Sequence, residues 1–332
     1  MKVWDLHCDT LSALQRAANA GSPISFENND LMIDLNKLEK GDYLLQCFAC
    51  FVNLERTYED PLQSCLQMID VYYELLKKYP DRVMQVKSPE DIKELAGSGK
   101  IGAMLTVEEG AVCRDDIRVL RNLYRLGVRM MTLTWNHENG LAYPNNVPGD
   151  GVAQLWPCAP VADKGLKQKG IEFLEEMEDL HMILDVSHLS DGGFWDVVKY
   201  SKRPFAASHS SSREVCGHVR NLTDDMIRAM AERGGLIGLN YCASFLDPNP
   251  NRDNVKSRIS DMVIHARHMV DVGGEDILAL GSDFDGIEGD LEIKGAGDMQ
   301  LLAEALLKNG FSERLVEKIF YKNAERFYME NL

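Results

Sequence analysis

Eight short runs rich in apolar and β-forming residues alternate with longer amphipathic stretches, and that alternation limits the fold more than any other feature. The runs are Val3–Leu6, Tyr43–Val52, Ile101–Val107, Arg129–Thr134, Met182–Val186, Phe205–Ser208, Leu236–Asn240 and Ile277–Gly281. Helical periodicity fills intervals between them, over Pro61–Lys78, Asp115–Leu126, Gly165–Leu180, Thr223–Arg233, Val255–Val272 and Met299–Lys308, with a last helix near Ser312–Tyr328. Strands joined by crossover segments return parallel to one another, so eight of them predict a sheet closed as a (β/α)8 TIM barrel. A doubly wound open sheet is the alternative. The chain has 332 residues and no linker-like composition shift, which predicts one domain over 1–332.

Local signals agree with this pattern. Ser88-Pro89-Glu90-Asp91 sets a capping serine before a first-turn proline and two acids, and Thr223-Asp224-Asp225 opens the next helix in a similar way. The stretch 135–163 breaks the periodicity with Asn136, Asn139, Gly140, Pro144 and their neighbours. A loop of that length starting at a strand end is a candidate lid.

The formal net charge of −16 argues against nucleic acid and anionic membranes as partners, because both need basic patches. The eight cysteines are scattered and mostly lie in apolar runs, and the one CxxC pair, Cys47 and Cys50, has no second pair to complete a zinc site. They read as buried thiols in a reducing compartment. No apolar run reaches the ~18 residues of a membrane span, and no signal segment fits ahead of residue 7, so the expected location is the cytoplasm.

Parallel barrels build their sites at the carboxyl ends of the strands, so the residues ending each run are the candidates. The first run leads into His7 and Asp9, the third into Glu108-Glu109-Gly110, the fifth into Ser187-His188, the sixth into Ser208-His209, and the eighth into Asp283-Phe284-Asp285-Gly286. Each has a plain explanation alone: a bond to a loop carbonyl for His188, a helix cap for His209, an arginine partner for Glu108. Together they converge on one narrow rim, where three imidazoles and several carboxylates require a cation. His265 and His268, three apart on a helix, read as surface or partly packed. His181 falls at the opposite face, and His218 lies in a loop beside Arg220.

Three histidines with Asp9 and Glu108 exceed the needs of one four-coordinate zinc that keeps a position for water. Ligand counting therefore favours two ions, with His7 and Asp9 on one, His188 and His209 on the other, and Glu108 bridging. Such a pair would share a hydroxide and polarise a substrate carbonyl, which points to metal-assisted hydrolysis.

These residues resemble the membrane (renal) dipeptidase family of zinc peptidases, within the amidohydrolase-like barrels. The likeness runs in order through His7-Cys8-Asp9-Thr10, Val107-Glu108-Glu109-Gly110, Thr132-Leu133-Thr134, Asp185-Val186-Ser187-His188, Ser208-His209-Ser210-Ser211, Arg220-Asn221 and Gly281-Ser282-Asp283-Phe284-Asp285-Gly286. It implies two zinc ions per chain on His7, Asp9, Glu108, His188 and His209. It also implies Asp283 as the residue that moves the proton, and Arg220 as the group that binds the substrate carboxylate, where the plainer alternative is a salt bridge across the rim. A homodimer enters only through the resemblance.

Two departures stand out. Trp135 follows Thr134 where the best-known animal members carry a histidine that steadies the tetrahedral intermediate, which leaves Asn136 or His137 as the candidate donor and Trp135 as a wall. The secretion signal and lipid anchor of those animal enzymes are missing, so the chain is similar to soluble bacterial-type members. The expected activity is hydrolysis of dipeptides, with a D-residue accepted at the C-terminal position. The rivals are an amidase or deaminase acting on N-acyl amino acids or lactones, and a catalytically silent barrel that only binds.

Overall fold

A computed structural model describes residues 1–55, 60–145, 158–249 and 254–332. Eight parallel strands close into a barrel: Val3–Asp5, Tyr43–Phe51, Ile101–Glu108, Val128–Thr132, Ile183–Asp185, Ala206–Ala207, Leu236–Leu239 and Leu278–Leu280. Closure is made on one side by Asp5 pairing with Leu280 and on the other by the long ladder from Leu45–Gly102 to Phe51–Glu108. Every strand read from the sequence is present, and closure excludes the open doubly wound sheet.

The helices Thr10–Asn19, Leu35–Lys40, Asp191–Tyr200 and Ala243–Leu246 add to the stretches read from the sequence, and three further elements depart from that reading. A short strand Val83–Gln85 pairs with the foot of the third barrel strand, where the fourth has not yet begun. The expected helix from Val255 begins at Ile259, because Lys256–Ser257 pairs instead with Asp290–Leu291. The expected helix Ser312–Tyr328 is interrupted by a π-helical turn, Lys318–Lys322, before it resumes over Asn323–Asn331.

The side-chain period of two sorts each strand into an inner and an outer set. Trp4, Leu45, Cys47, Met104, Met130, Ile183, Ala206, Leu236 and Ala279 meet in one buried cluster to which all eight strands contribute, so this cluster is the barrel interior. Their neighbours in sequence, among them Leu105, Met131, Leu184, Ala207, Ile237 and Leu280, belong to the larger core under the surrounding helices. Phe327 and Tyr328 of the last helix join the inner cluster, Tyr328 stacking on Trp4 with ring centroids 5.5 Å apart, and close the amino ends of the strands. The carboxyl ends are left for a site.

The candidate lid 135–163 lies partly outside the described residues, at 146–157. Its described part is folded onto the barrel, with Ala142 bridging to Leu166 and Pro144 to Leu189. No disulfide links the cysteines among the described residues. His265, expected at most partly packed, is fully buried: Nδ1 accepts from Ser212 N, and Nε2 lies 3.2 Å from Leu246 O. Among the described residues no helix is long and apolar enough to cross a membrane.

Candidate metal centre

Strand parity places Glu108 and several of the side chains behind the site. Counting by twos from the inner layer, Met104 leads to Thr106 and Glu108, Met130 to Thr132, Ile183 to Asp185, and Ala206 to Ser208. His188 and Asp283 fall after their strands end, and each turns inward through a left-handed backbone, with φ of 71° and 63°. Such conformations are uncommon outside glycine and cluster at working sites.

His7, Asp9, Glu108, His188, His209 and Asp283 come together at the carboxyl rim, all of them buried or nearly so. Glu108 divides its oxygens: Oε2 lies 3.2 Å from His7 Nε2, and Oε1 lies 2.8 Å from His188 Nε2 and 3.4 Å from His209 Nε2. His7 Nε2 is also 3.7 Å from Asp9 Oδ1 and 3.9 Å from Asp283 Oδ1. Two overlapping ligand clusters result, His7–Glu108–His209 and His7–Asp9–Asp283, sharing His7. The plain explanations of Glu108, His188 and His209 do not apply, because Glu108 meets imidazoles and has no arginine partner among the described residues.

Hydrogen bonds behind the site set the ring tautomers. Ser208 Oγ donates to Asp185 Oδ2 at 2.5 Å, so it accepts from His209 Nδ1 at 2.7 Å. Asn136 Oδ1 accepts from His188 Nδ1 at 2.8 Å. Both rings then turn a bare Nε2 lone pair inward, and the two Nε2 atoms lie 2.9 Å apart. Facing lone pairs repel unless a cation lies between them. His7 Nε2 and Asp9 Oδ1 are likewise buried without a hydrogen-bond partner. The donor set, imidazole nitrogen and carboxylate oxygen, fits divalent zinc.

The titration tendencies express this crowding. Burial works against a charged His7, yet the Glu108 and Asp9 carboxylates hold its pKa well above the usual imidazole value. Burial, then the facing Arg220 charge, pushes His188 down to about 4, and burial with the neighbouring His7 lowers His209 well below its ordinary value. Burial raises Asp9 to about 6 and Asp283 to about 7, Glu108 adding to the rise in each.

Arg220 lies beside the candidate ligands, 4 % exposed, with Nη2 3.4 Å from His209 O and Nε without a partner. It makes no ion pair among the described residues, so the salt bridge considered from the sequence is not there. Burial lowers its pKa, while Asp283 and Glu108 oppose the shift. Trp135 stands against His188 with ring centroids 5.8 Å apart and against Phe51 at 4.9 Å, which makes it a wall. Asn136 faces His188. His137 packs beside Trp135 with ring centroids 5.5 Å apart, its Nδ1 3.5 Å from Glu55 Oε1 and its Nε2 buried.

Several contributors were not singled out from the sequence. Asp185 and Ser208 anchor His209, and Asn240 Nδ2 donates to Asp283 Oδ2 at 3.0 Å. Asp5 takes Ser282 Oγ at 2.5 Å and Ser282 N at 2.9 Å, tying the first strand to the eighth below His7 and Asp283. Parity could have found Asp185, Ser208 and Asn240, each an even step beyond an inner-layer residue. Asp5 escapes that count, because it lies between the inner-layer Trp4 and Leu6 and so on the other parity.

The model of a family described as membrane dipeptidase (peptidase family M19) matches residues 1–331. A Klebsiella pneumoniae protein described as an uncharacterized protein in the pqqA 5' region is 31% identical over 265 residues, covering 80% of this chain and 94% of its own. An uncharacterized dipeptidase of Schizosaccharomyces pombe is 33% identical over 264 residues, 76% of this chain; the match spans only 61% of the yeast protein. Among solved structures, a metallo peptidase from Rhodobacter sphaeroides liganded with a phosphinate mimic of the dipeptide L-Ala-D-Ala superposes with a TM-score of 0.88 at 23% identity. That match covers 100% of this chain and 99% of the other.

Proposed function

The chain belongs to the membrane dipeptidase family, and from that premise we propose that it hydrolyses the peptide bond of dipeptides at a site holding two zinc ions. The observation that carries the reading is the division of Glu108, one oxygen toward His7 and the other toward His188 and His209. His7 and Asp9 would hold one ion, His188 and His209 the other, and Glu108 would span both. Zinc in such a site polarises a scissile carbonyl and lowers the pKa of water.

The protein's own groups do the rest. Asp283 takes the proton of the attacking water and passes it to the departing amine; its Oδ1 lies 3.9 Å from His7 Nε2, among the candidate ligands and within reach of a water held there. Asn240 holds its other oxygen and so keeps it aimed. Arg220 binds the substrate carboxylate, where a fork of donors matches two oxygens. Asn136 acts beside the substrate through His188, and His137 lines the mouth next to Trp135. Acceptance of a D-residue at the C-terminal position is part of the proposal, supported by the L-Ala-D-Ala mimic in the Rhodobacter protein. The whole chain is read as one catalytic domain, and the scattered, mostly buried thiols are read as those of a reducing, cytoplasmic setting.

A zinc-loaded, metal-counted sample tested on L,L- and L,D-dipeptides, N-acyl amino acids and lactones decides the matter. Turnover of dipeptides, including those ending in a D-residue, is expected. Turnover confined to N-acyl amino acids or lactones would replace this reading with the amidase one. Bound metal without hydrolysis of any of these substrates would favour the silent barrel.

A further inference from the structure

Glu109 follows the bridging candidate Glu108 and is fully buried, with φ of 113°, a value that favours glycine. Its carboxylate has no cation partner among the described residues. It accepts from three N–H groups: Ala111 N at 2.8 Å and Asn139 Nδ2 at 2.5 Å on Oε1, and Trp135 N at 3.0 Å on Oε2. Asn139 in turn donates to Leu133 O and accepts from Leu141 N and Ala142 N, so one residue gathers both arms of the loop. The next residue, Gly110, lies so close that a Cβ there would stand 2.6 Å from Leu133 O. The turn after the third strand and the loop after the fourth are thus pressed together around one strained, buried carboxylate.

That loop carries Asn136, whose Oδ1 meets His188 Nδ1, and Trp135, whose ring leans on His188. We propose that Glu109 is a positioning residue: by clamping 133–139 it holds Asn136 where His188 keeps its proton on Nδ1 and turns Nε2 toward Glu108. Glycine here would relax the backbone but leave Ala111 N, Trp135 N and Asn139 Nδ2 without their acceptor, so the strain is held in place by the same bonds that clamp the loop. His209, fixed independently by Ser208 and Asp185, is a built-in control. The inference rests on His188 being a ligand, as in the reading above, and its test reads the zinc-loaded protein without substrate: a wild-type His188 ring that zinc does not shift would fault that reading, whereas the clamp is judged by the variants.

The experiment is nitrogen-15 NMR of labelled histidine rings in the zinc-loaded full chain, comparing wild type with Glu109→Gly and Glu109→Gln. In wild type His188 and His209 should both give the Nδ1–H tautomer signature. In the variants His188 should lose it while His209 keeps it, and the zinc-loaded variants should show kcat lowered roughly ten- to hundredfold, the usual cost of disturbing a ligand's support. An unchanged His188 in both variants would overturn the proposal, and so would equal disturbance of both rings. If Glu109→Gly does not fold, Glu109→Gln, which keeps the side-chain volume, is read by the same outcomes.

Discussion

Asp185 accepts the Ser208 hydroxyl at 2.5 Å, and through that bond an internal carboxylate decides which nitrogen of a neighbouring imidazole is bare. Asp185 also takes Ser187 N at 3.0 Å and Ser208 N at 2.9 Å, so it ties the two strand ends that carry His188 and His209. Ser208→Ala and Asp185→Asn should each weaken zinc affinity roughly ten- to hundredfold. Competition with a chromophoric chelator measures this, and an affinity equal to wild type in both variants would remove the tautomer-setting role.

His188→Ala should reduce the bound zinc, because it deletes a nitrogen facing Glu108 Oε1 at 2.8 Å. Asp283→Asn should keep its metal and lose dipeptide hydrolysis, since the amide retains the shape but cannot take up a proton. Chelation of the wild type should abolish activity, with zinc restoring it. Elemental analysis alongside turnover separates these effects; full activity in either variant contradicts the assigned roles.

Gly286 is where the two acidic arms of the site pack against backbone. A Cβ added there would stand 2.3 Å from Asp9 Oδ2 and 2.6 Å from Asp283 Oδ1. Gly286→Ala should therefore lower both zinc affinity and kcat while leaving the far-ultraviolet circular dichroism unchanged. Gly97→Ala, on an exposed helix face with nothing within 4 Å, should raise stability by about 1 kcal/mol and leave catalysis alone. Equal behaviour of the two variants would contradict the packing argument.

Arg220→Lys should raise KM for dipeptides far more than it lowers kcat, because a single ammonium does not reproduce the bidentate fork. The comparison that matters is a dipeptide against its C-terminal amide. Wild type should strongly prefer the free carboxylate and the variant should not. A preference that survives the substitution would assign the carboxylate to another group.

His265 predicts a pH dependence of stability that is separate from the metal centre. Burial pushes its pKa down to about 4 from the usual ~6.5. Between those values the unfolded chain takes up a proton that the folded ring refuses, so stability falls as pH drops from ~6.5 to about 4 and is level above that window. The full loss is about 3 kcal/mol at ~1.4 kcal/mol per pKa unit. His265→Gln keeps one acceptor and one donor without the titration, and urea unfolding at several pH values should give a flatter profile. An unchanged slope would mean other groups dominate the window.

Much of the site was legible because the strand period and the barrel rule act locally. His7, Asp9, Glu108, His188, His209 and Asp283 each follow or end an apolar run, and a parallel barrel gathers such ends. The supporting residues were less legible for a stated reason. Asp185, Ser208 and Asn240 are ordinary polar residues until the inner face of each strand is known, and Asp5 falls on the other parity of its strand, between the inner-layer Trp4 and Leu6. Glu109 stood in view as part of Glu108-Glu109-Gly110, but its use depends on contacts with a loop some 26 to 30 residues later in the chain.

The sequence by itself determined the parallel strand set and the identity of the groups that end those strands, because periodicity, helix caps and strand-end residues are local properties of the chain; closure of the sheet was decided by the tertiary structure. Only the tertiary structure decided how those groups are used. Whether Glu108 faces one imidazole or three, which ring nitrogen is bare, that Arg220 makes no ion pair among the described residues, and that Trp135 leans on His188 are consequences of strands and loops distant in sequence meeting at angstrom precision. No short-range pattern encodes such meetings; they arise from closure of the sheet.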